Sequence, residues 1–517
     1  MSDHSIFAAL RAAFPADLDA TAITTADGPG APLHYTWRDL DRGSAMLANV
    51  FASLDLPAGS RVAVQVDKSV EALMLYLAVQ RAGLVYLPLN NAYRETEIEY
   101  FIGDAEPAVV VCAPQDFTWI SRLAFRRGTK NVFTLSADRT GSLLERASWM
   151  GDVHAPVARA ADDLAAILYT SGTTGRSKGA MLTHGNLLSN ARVLHDYWGW
   201  RTPEQGGDVL IHALPIFHVH GLFVASHGAL LNGSKMIWFA RFDPKAVIAR
   251  LPEATVFMGV PTLYTRRLAE PTLTRAACAR MRLFISGSAP LQVETFDAWR
   301  ERTGHTILER YGMSETVMLT SNPYRREDGE RRRGTVGFAL PGVELRVRGE
   351  QGQACAAGEI GGIEVKGPNV FAGYWRMPQK TKEEFTADCW FKTGDVGTID
   401  ERGYVTIVGR SKDLVISGGY NVYPAEVEGF INELPGVAES AVVGLPHPDF
   451  GEGVVAMVVP KLGHTLDGAA IAAALKDRIA AFKVPKRVFV VGELPRNAMG
   501  KVQKNLLRAQ HQGLFGG

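Results

Sequence analysis

At 517 residues, with 46% hydrophobic and 21% charged side chains, the chain has a globular composition. It is too long for one compact core, because single cores seldom grow past about 250 to 300 residues. With 55 Lys plus Arg against 54 Asp plus Glu, no overall field draws it to nucleic acid or an anionic membrane, so any anion must be gripped by local groups. The four cysteines, Cys112, Cys278, Cys355 and Cys389, lack CxxC spacing, which argues against a disulfide framework or a cysteine zinc site and for a reducing cytoplasm.

The opening stretch MSDHSIFAALRAAFPADLDA carries early acidic residues and no long apolar run, so it reads as an amphipathic helix rather than a signal peptide. The sequence contains no run of about 18 apolar residues, which argues against a spanning helix and predicts no membrane insertion. Short β-rich runs follow, alternating with helical patterns: RVAVQVD from Arg61, AVVVCA from Ala108, AAILYT from Ala165, ATVFMGV from Ala254 and RLFISGS from Arg282. That alternation predicts mainly parallel sheets covered by helices. Between Gly334 and Gly409 the pattern shifts to glycine-punctuated strands such as GEIGGIEVKG, which read as antiparallel hairpins or a small barrel. The remainder, RSKDLVISGGYNVYP, AEVEGFINEL, AESAVVGLPH, VVAMVVP and RVFVVGELP, makes a compact α/β pattern of its own. Two domains are therefore expected, 1–410 and 411–517, with the boundary at Arg410 to Lys412.

The most informative stretch is YTSGTTGRSKG, Tyr169 to Gly179, which follows an apolar strand and precedes the helix start MLTHGNLLSN. Small residues let backbone N–H groups approach phosphate oxygens, hydroxyls add donors, and Lys178 adds positive charge. The spacing of Gly172, Gly175 and Lys178 departs from GxxxxGK[ST], so this is a phosphate loop but not a Walker A loop. A flexible Ser/Gly linker is the bland alternative. A sharper one is the nucleophile elbow GxSxG formed by Gly175, Ser177 and Gly179, although Arg176 and Lys178 would flank the nucleophile.

At this loop the chain resembles the acyl-adenylate-forming superfamily, which includes acyl-CoA synthetases, adenylation domains and luciferases. SGSAP at Ser286 to Pro290, YGMSET at Tyr311 to Thr316, KTGDVG around Asp395, GRSKD from Gly409 and PRNAMGK ending at Lys501 follow in the family's order. The fold implied is α/β: a large N-terminal domain of two mainly parallel subdomains plus a small β-barrel, then a small mobile α/β C-terminal domain. The cofactor and substrates implied are Mg2+, ATP and coenzyme A.

The resemblance also implies roles. Thr170, Ser171, Gly172, Thr173, Thr174, Gly175 and Lys178 would grip the departing pyrophosphate. Ser288, Ala289 and Pro290 would lie beside the adenine, with Glu309, Arg310, Gly312, Met313 and Ser314 around the nucleotide and Tyr311 offering a ring face. Asp395 and Arg410 would hold the ribose, Glu315 would ligate magnesium, and Lys501 would bridge the acyl carboxylate and α-phosphate as a mobile point charge. Lys501, Glu315 and Thr170 form the catalytic set. Lys412 matches the family's hinge, and Ser417, Gly418, Gly419 and Tyr420 would face the pantetheine thiol after a domain swing. Control by a lysine acyltransferase acting on Lys501 is a further implication.

For the acid, PIFHVHGLF at Pro215 to Phe223 resembles the family's acyl-pocket motif, with His220 and Val219 as pocket wall. Alternate residues of a strand share a face, so His218 and His220 there could also ligate zinc, though no third ligand is recognisable. Arg266 and Arg282 are the arginines expected to meet a second carboxylate, with Ser286, Val219 and Met313 nearby. The stretches PLNNAYRETEIEYFIGDAEPAVVVCAP, HALPIFHVHGLFVA, RLFISGSAPL and ERYGMSETVMLTSNPY look like malonyl-CoA synthetases, which implies malonate, and methylmalonate as a second acid. Another short or aryl acid, or a noncatalytic nucleotide binder, is the competing reading. Monomer and dimer stay equally open.

Overall fold

The computed structural model describes residues 4–27, 30–170, 177–476, 478–497 and 500–515. The apolar runs at Arg61–Gln65, Val85–Pro88, Val109–Cys112, Asn131–Thr134 and Leu164–Thr170 pair in parallel, and Lys178–Thr183 closes this six-stranded sheet antiparallel to Leu164–Thr170. A nine-stranded sheet is built on Val209–His212, Lys235–Trp238, Val256–Gly259, Leu283–Ser286 and Leu308–Tyr311, again parallel. The early strand Thr21–Thr25 joins this second sheet, parallel to Lys235–Trp238, across more than half the domain's sequence.

The helix Val70–Arg81 shows why the two sheets form one body. All of its residues are buried, as expected of a helix apolar on most sides, and most of its few polar groups are matched, Gln80 Oε1 excepted. Gln80 Nε2 donates to the Ala165 carbonyl at 2.9 Å, Glu71 accepts from Tyr35 OH at 2.6 Å, and Arg81 meets Asp41 at 2.9 Å. Ser69 caps its start, accepting from the Ala72 amide at 3.0 Å, which satisfies one otherwise orphaned donor. One continuous apolar core draws side chains from both sheets.

The glycine-punctuated stretch forms a four-stranded antiparallel meander, Glu344–Arg348, Gly361–Lys366, Phe391–Ile399 and Val405–Arg410. Val405 joins it to the nine-stranded sheet's edge, exchanging backbone bonds of 2.8 and 2.9 Å with Gly337 and Val336. After the single 3-10 turn Ser411–Asp413 the chain enters a five-stranded sheet with its own apolar core, flanked by helices Pro424–Asn432, Gly468–Leu475 and Lys504–His511.

One buried ion pair ties the leading ends of three parallel strands. Asp208, whose side chain is 0% exposed, receives Arg282 Nε at 2.8 Å, Thr255 Oγ1 at 2.7 Å and the Arg201 amide at 2.8 Å. Removing one partner strands the other charge in the core. Asp208→Ala is therefore expected to lower stability by about 3 to 5 kcal/mol, read by urea unfolding; a change below about 1 kcal/mol would show the pair to be dispensable.

Candidate active site

The phosphate loop does not join a strand to a helix, as its sequence context suggested. Its flanks, Leu164–Thr170 and Lys178–Thr183, are antiparallel partners with Thr170 opposite Lys178, so the loop is a hairpin connection. Ser177 leads into a strand, not the helix that a nucleophile elbow requires. Ser171, Gly172, Thr173, Thr174 and Gly175 lie outside the described residues.

At the loop's root, Lys178 Nζ lies 3.3 Å from Glu384 and 4.2 Å from the Tyr374 ring centroid. The buried Glu315 carboxylate accepts from Tyr374 OH at 3.0 Å and from Thr170 Oγ1 at 3.5 Å. Burial pushes its carboxyl above the usual range, opposed by the Tyr374 bond and by Arg410 and Lys178. A single hard carboxylate beside hydroxyls, with no group of three or more His, Cys, Asp or Glu ligands among the described residues, fits magnesium, which relies on water and substrate phosphates.

Asp395 and Arg410 face each other across the meander, Arg410 Nε lying 2.6 Å from Asp395 Oδ1. Tyr311 OH donates to the other carboxylate oxygen. Burial raises the Asp395 carboxyl, while Arg410 and the Tyr311 hydroxyl act against that rise. Tyr311 thus carries a polar task that its reading as a stacking ring did not include. The turn after it is tight: a Cβ at Gly312 would meet the Val317 carbonyl oxygen at 2.0 Å, and Val317 holds φ +55°. A β-branched residue there stores strain next to Glu315.

Lys501 arrives from the C-terminal unit on a turn closed by Asn497, whose Oδ1 accepts the Lys501 amide at 3.0 Å. A Cβ on Gly500 would lie 3.3 Å from Thr262 Oγ1, so the turn rests on helix Pro261–Leu268 of the large unit. The Lys501 side chain keeps solvent access, yet the cleft walls and then Arg410 hold its ammonium below the usual lysine range, with Asp395 and Glu315 opposing. These four groups and Arg310 therefore share one cleft.

The HVH segment is not a strand: His220–Ser226 forms a π-helix, so the alternation argument for paired ligands does not hold. His220 Nδ1 lies 3.2 Å from Ser288 Oγ, and Ser288 holds φ +70°. His220 Nε2 and Ser286 Oγ are buried without hydrogen-bond partners among the described residues. Burial, followed by Arg310, keeps the His220 imidazole neutral.

Of the two arginines expected at the acid's far end, one is committed to another carboxylate and the other has no ion pair among the described residues. Arg282 is held by Asp208 at the leading end of its strand, away from Ser286, and Arg266 lies exposed on its helix. Arg310 is the arginine beneath the Ser286–Ser288 loop. It is 2% exposed, its Nε and Nη2 have no hydrogen-bond partner among the described residues, and a Cβ on Gly287 would lie 2.6 Å from its Cζ. Burial lowers its guanidinium to about 9, still a cation at neutral pH. The signal for it was present in LERY, two charged residues inside a buried parallel strand. Tyr374 and Glu384 carried no comparable signal.

Ser411 Oγ bonds the Gly394 carbonyl at 3.0 Å, Lys412 is exposed, and Asp413 pairs with Arg508 at 2.7 Å. Ser417 to Tyr420 form a hairpin turn with both glycines at positive φ, 59° and 80°. Its neighbours are in the C-terminal unit: Gly418 donates to the Phe450 carbonyl at 2.9 Å and Tyr420 stacks on Phe482 at 4.7 Å.

The fold thus brings the Asp395–Arg410 pair, Glu315 and a lysine from a second unit to one cleft. The chain belongs to the AMP-binding enzyme family, which matches residues 11–375, and the AMP-binding enzyme C-terminal domain matches residues 426–501. It is similar to a malonate–CoA ligase of Arabidopsis thaliana, 35% identical over 87% of this chain and 78% of that protein. A feruloyl-CoA synthase of Amycolatopsis is likewise 35% identical, over 92% of this chain and 93% of its own length. Among solved structures, ATP-bound MatB from Rhodopseudomonas palustris superposes with a TM-score of 0.94 and 54% identity, covering 99% of this chain and 100% of that one.

Next to Arg310, Glu309 accepts the Leu291 amide at 2.9 Å. Burial pushes its carboxyl from 4.5 up to about 8. Because the folded value is the higher one, the stability it contributes is full below the unfolded value and is lost as pH rises through the folded one. Glu309→Gln, which keeps the acceptor, is expected to gain thermal midpoint over the natural protein as pH rises from 4.5 to about 8 and to hold that gain above it; a difference that stays flat across that range would refute the assignment.

Proposed function

We propose that this protein joins malonate to coenzyme A, cleaving ATP to AMP and pyrophosphate, through a malonyl-adenylate. The observation that carries the reading is Arg310, a buried cation with unused donors beside His220 and the Ser286–Ser288 loop. Burying an unpaired cation costs several kcal/mol, which a ligand carboxylate would offset through a forked pair. A fatty tail would leave that charge stranded, so the pocket selects a short diacid. Val219 and Met313 flank the α-carbon, which leaves methylmalonate as a second acid.

In the first step an oxygen of the proximal carboxylate attacks the α-phosphate and the bond to the β-phosphate bridging oxygen breaks. Lys501 holds the two anions together and offsets the charge that develops between them. Thr170, Lys178 and the residues of the phosphate hairpin receive the pyrophosphate, and Asp395 with Arg410 holds the ribose. Magnesium, when bound at Glu315, neutralises phosphate charge. The unit 411–517 then turns about Lys412, withdrawing Lys501 and presenting the Ser417–Tyr420 turn to the pantetheine. The thiol adds to the acyl carbon, its proton leaves to solvent, and AMP departs. Four free cysteines suit a reducing cytoplasm. No helix among the described residues is long and apolar enough to cross a membrane. Acylation of Lys501 by an acyltransferase would erase the charge on which the first step depends.

Pyrophosphate release across a panel of acids tests the reading, with malonate expected to be fastest; highest activity with a fatty or aromatic acid would remove it. Lys501→Ala should lose adenylation while still passing preformed malonyl-adenylate to coenzyme A. Arg310→Met should lower kcat/KM for malonate about a hundredfold or more, the worth of two charge-assisted bonds, and raise the relative rate with propionate. Unchanged selectivity in Arg310→Met would place the second carboxylate elsewhere.

A further inference from the structure

We infer that Lys68 is a positioning residue for the acid pocket, acting through the His212 ring on the π-turn that carries the pocket wall. The inference rests on the acid-pocket reading above. Lys68 leaves the six-stranded sheet just after Arg61–Gln65 and reaches across to the carboxyl ends of two strands of the nine-stranded sheet. Its Nζ donates to His212 Nδ1 at 2.9 Å, to the His212 carbonyl at 2.8 Å and to the Phe239 carbonyl at 2.7 Å, and lies 4.3 Å from the Trp238 ring centroid. Three acceptors use all three ammonium N–H bonds. No carboxylate pairs with this buried cation among the described ion pairs, an arrangement that a purely structural tie would not need, since apolar side chains fill such a site at lower cost.

The consequence runs through the imidazole. A carbonyl oxygen only accepts, so the His212 Nε2 that faces Gly221 O carries the ring proton and Nδ1 accepts from Lys68 Nζ, although burial holds that ammonium well below the usual lysine range. Nε2 lies 3.0 Å from the Gly221 carbonyl oxygen and 3.0 Å from Ser226 Oγ, and Ser226 Oγ itself donates to Gly221 O at 2.9 Å. The Gly221 carbonyl thus collects two side-chain donors inside a π-helix, where regular i to i+4 bonding is interrupted and backbone acceptors need other partners. Gly221 has no freedom to shift toward the outside: a Cβ there would stand 2.0 Å from the Pro215 carbonyl oxygen. Val219 and His220 directly precede it, and His220 meets Ser288 on the loop that covers Arg310. A lysine of one sheet therefore holds in place the ring whose Nε2–H braces the wall against which the acid packs in the other. The nucleotide groups Asp395, Arg410 and Glu315 stand on other elements and lie outside this chain of bonds.

The test uses the full-length protein. Nitrogen chemical shifts of His212, in protein labelled on histidine, should report the Nε2–H tautomer; the Nδ1–H form would overturn the inference without any variant. Lys68→Met, close to lysine in shape, should loosen the hold on that ring and raise KM for malonate about tenfold while KM for ATP stays within about twofold. Ser226→Ala, a small change that removes one donor from Gly221 O, should move KM for malonate in the same direction by about threefold, and it decides the matter if the Met variant does not fold. Equal rises in both KM values, or none in either, would reduce Lys68 to a tie between sheets. Loss of malonate activity in the natural protein would instead sink the proposed function and leave the tautomer result standing.

Discussion

Cations that repel one another are held in a single cleft. Lys501, Arg410 and Arg310 lie close enough that each arginine depresses the lysine's proton affinity, while Asp395 and Glu315 raise it. Repulsion among like charges that the two carboxylates only partly offset leaves such a cleft poised for anions. A triphosphate and a diacid supply them. The fold's main task is to hold these side chains in place against their mutual repulsion until the ligands arrive.

That task explains where the backbone is irregular. Ser288 and Val317 hold φ of +70° and +55°, and a π-helix starts at His220. All three sit at the carboxyl ends of strands of the nine-stranded sheet or on the loops that follow them, where open parallel sheets bind ligands. The rest of those strands is regular and closely packed, and the rigid part carries the strained part. Asp208 works at the opposite ends of the same strands, tying together three elements whose far ends carry the pocket.

Charge also divides the labour between the two units. The large unit contributes Asp395, Arg410, Tyr311, Tyr374 and Glu315, whereas Lys501 comes from the small unit on a turn that rests on Thr262. The Ser417–Tyr420 turn is meanwhile packed against Phe450 and Phe482 of its own unit. A lysine delivered by a separate body can be withdrawn as a unit, which a lysine rooted in the nine-stranded sheet could not.

How much of this was legible in the sequence varied with the range of the interaction. Short-range signals were readable: β-branched runs marked Arg61–Gln65, Val109–Cys112 and Leu283–Ser286 as parallel strands, whereas Glu315, Asp395, Arg410 and Lys501 were singled out only through the order of their motifs and its resemblance to a family. Misreadings arose where a local pattern has two folded outcomes. The phosphate loop became a hairpin because Lys178–Thr183 found a partner in Leu164–Thr170, and HVH became a π-turn because Gly221 packs against Pro215. The arginines show the limit most plainly. Arg266, Arg282 and Arg310 are alike as residue types, and composition alone cannot rank them. What separates them is which counter-charge tertiary packing brings: Asp208 for Arg282, none among the described ion pairs for the exposed Arg266, and no protein acceptor for Nε and Nη2 of Arg310 among the described residues. The amino-acid sequence by itself determined the chemistry and the order of the parts, because those depend on residue type and near neighbours. Only the tertiary structure decided which charges stay unpaired by protein and so await a ligand, because that depends on partners far apart in the chain, such as Asp208 and Arg282, 74 residues from each other.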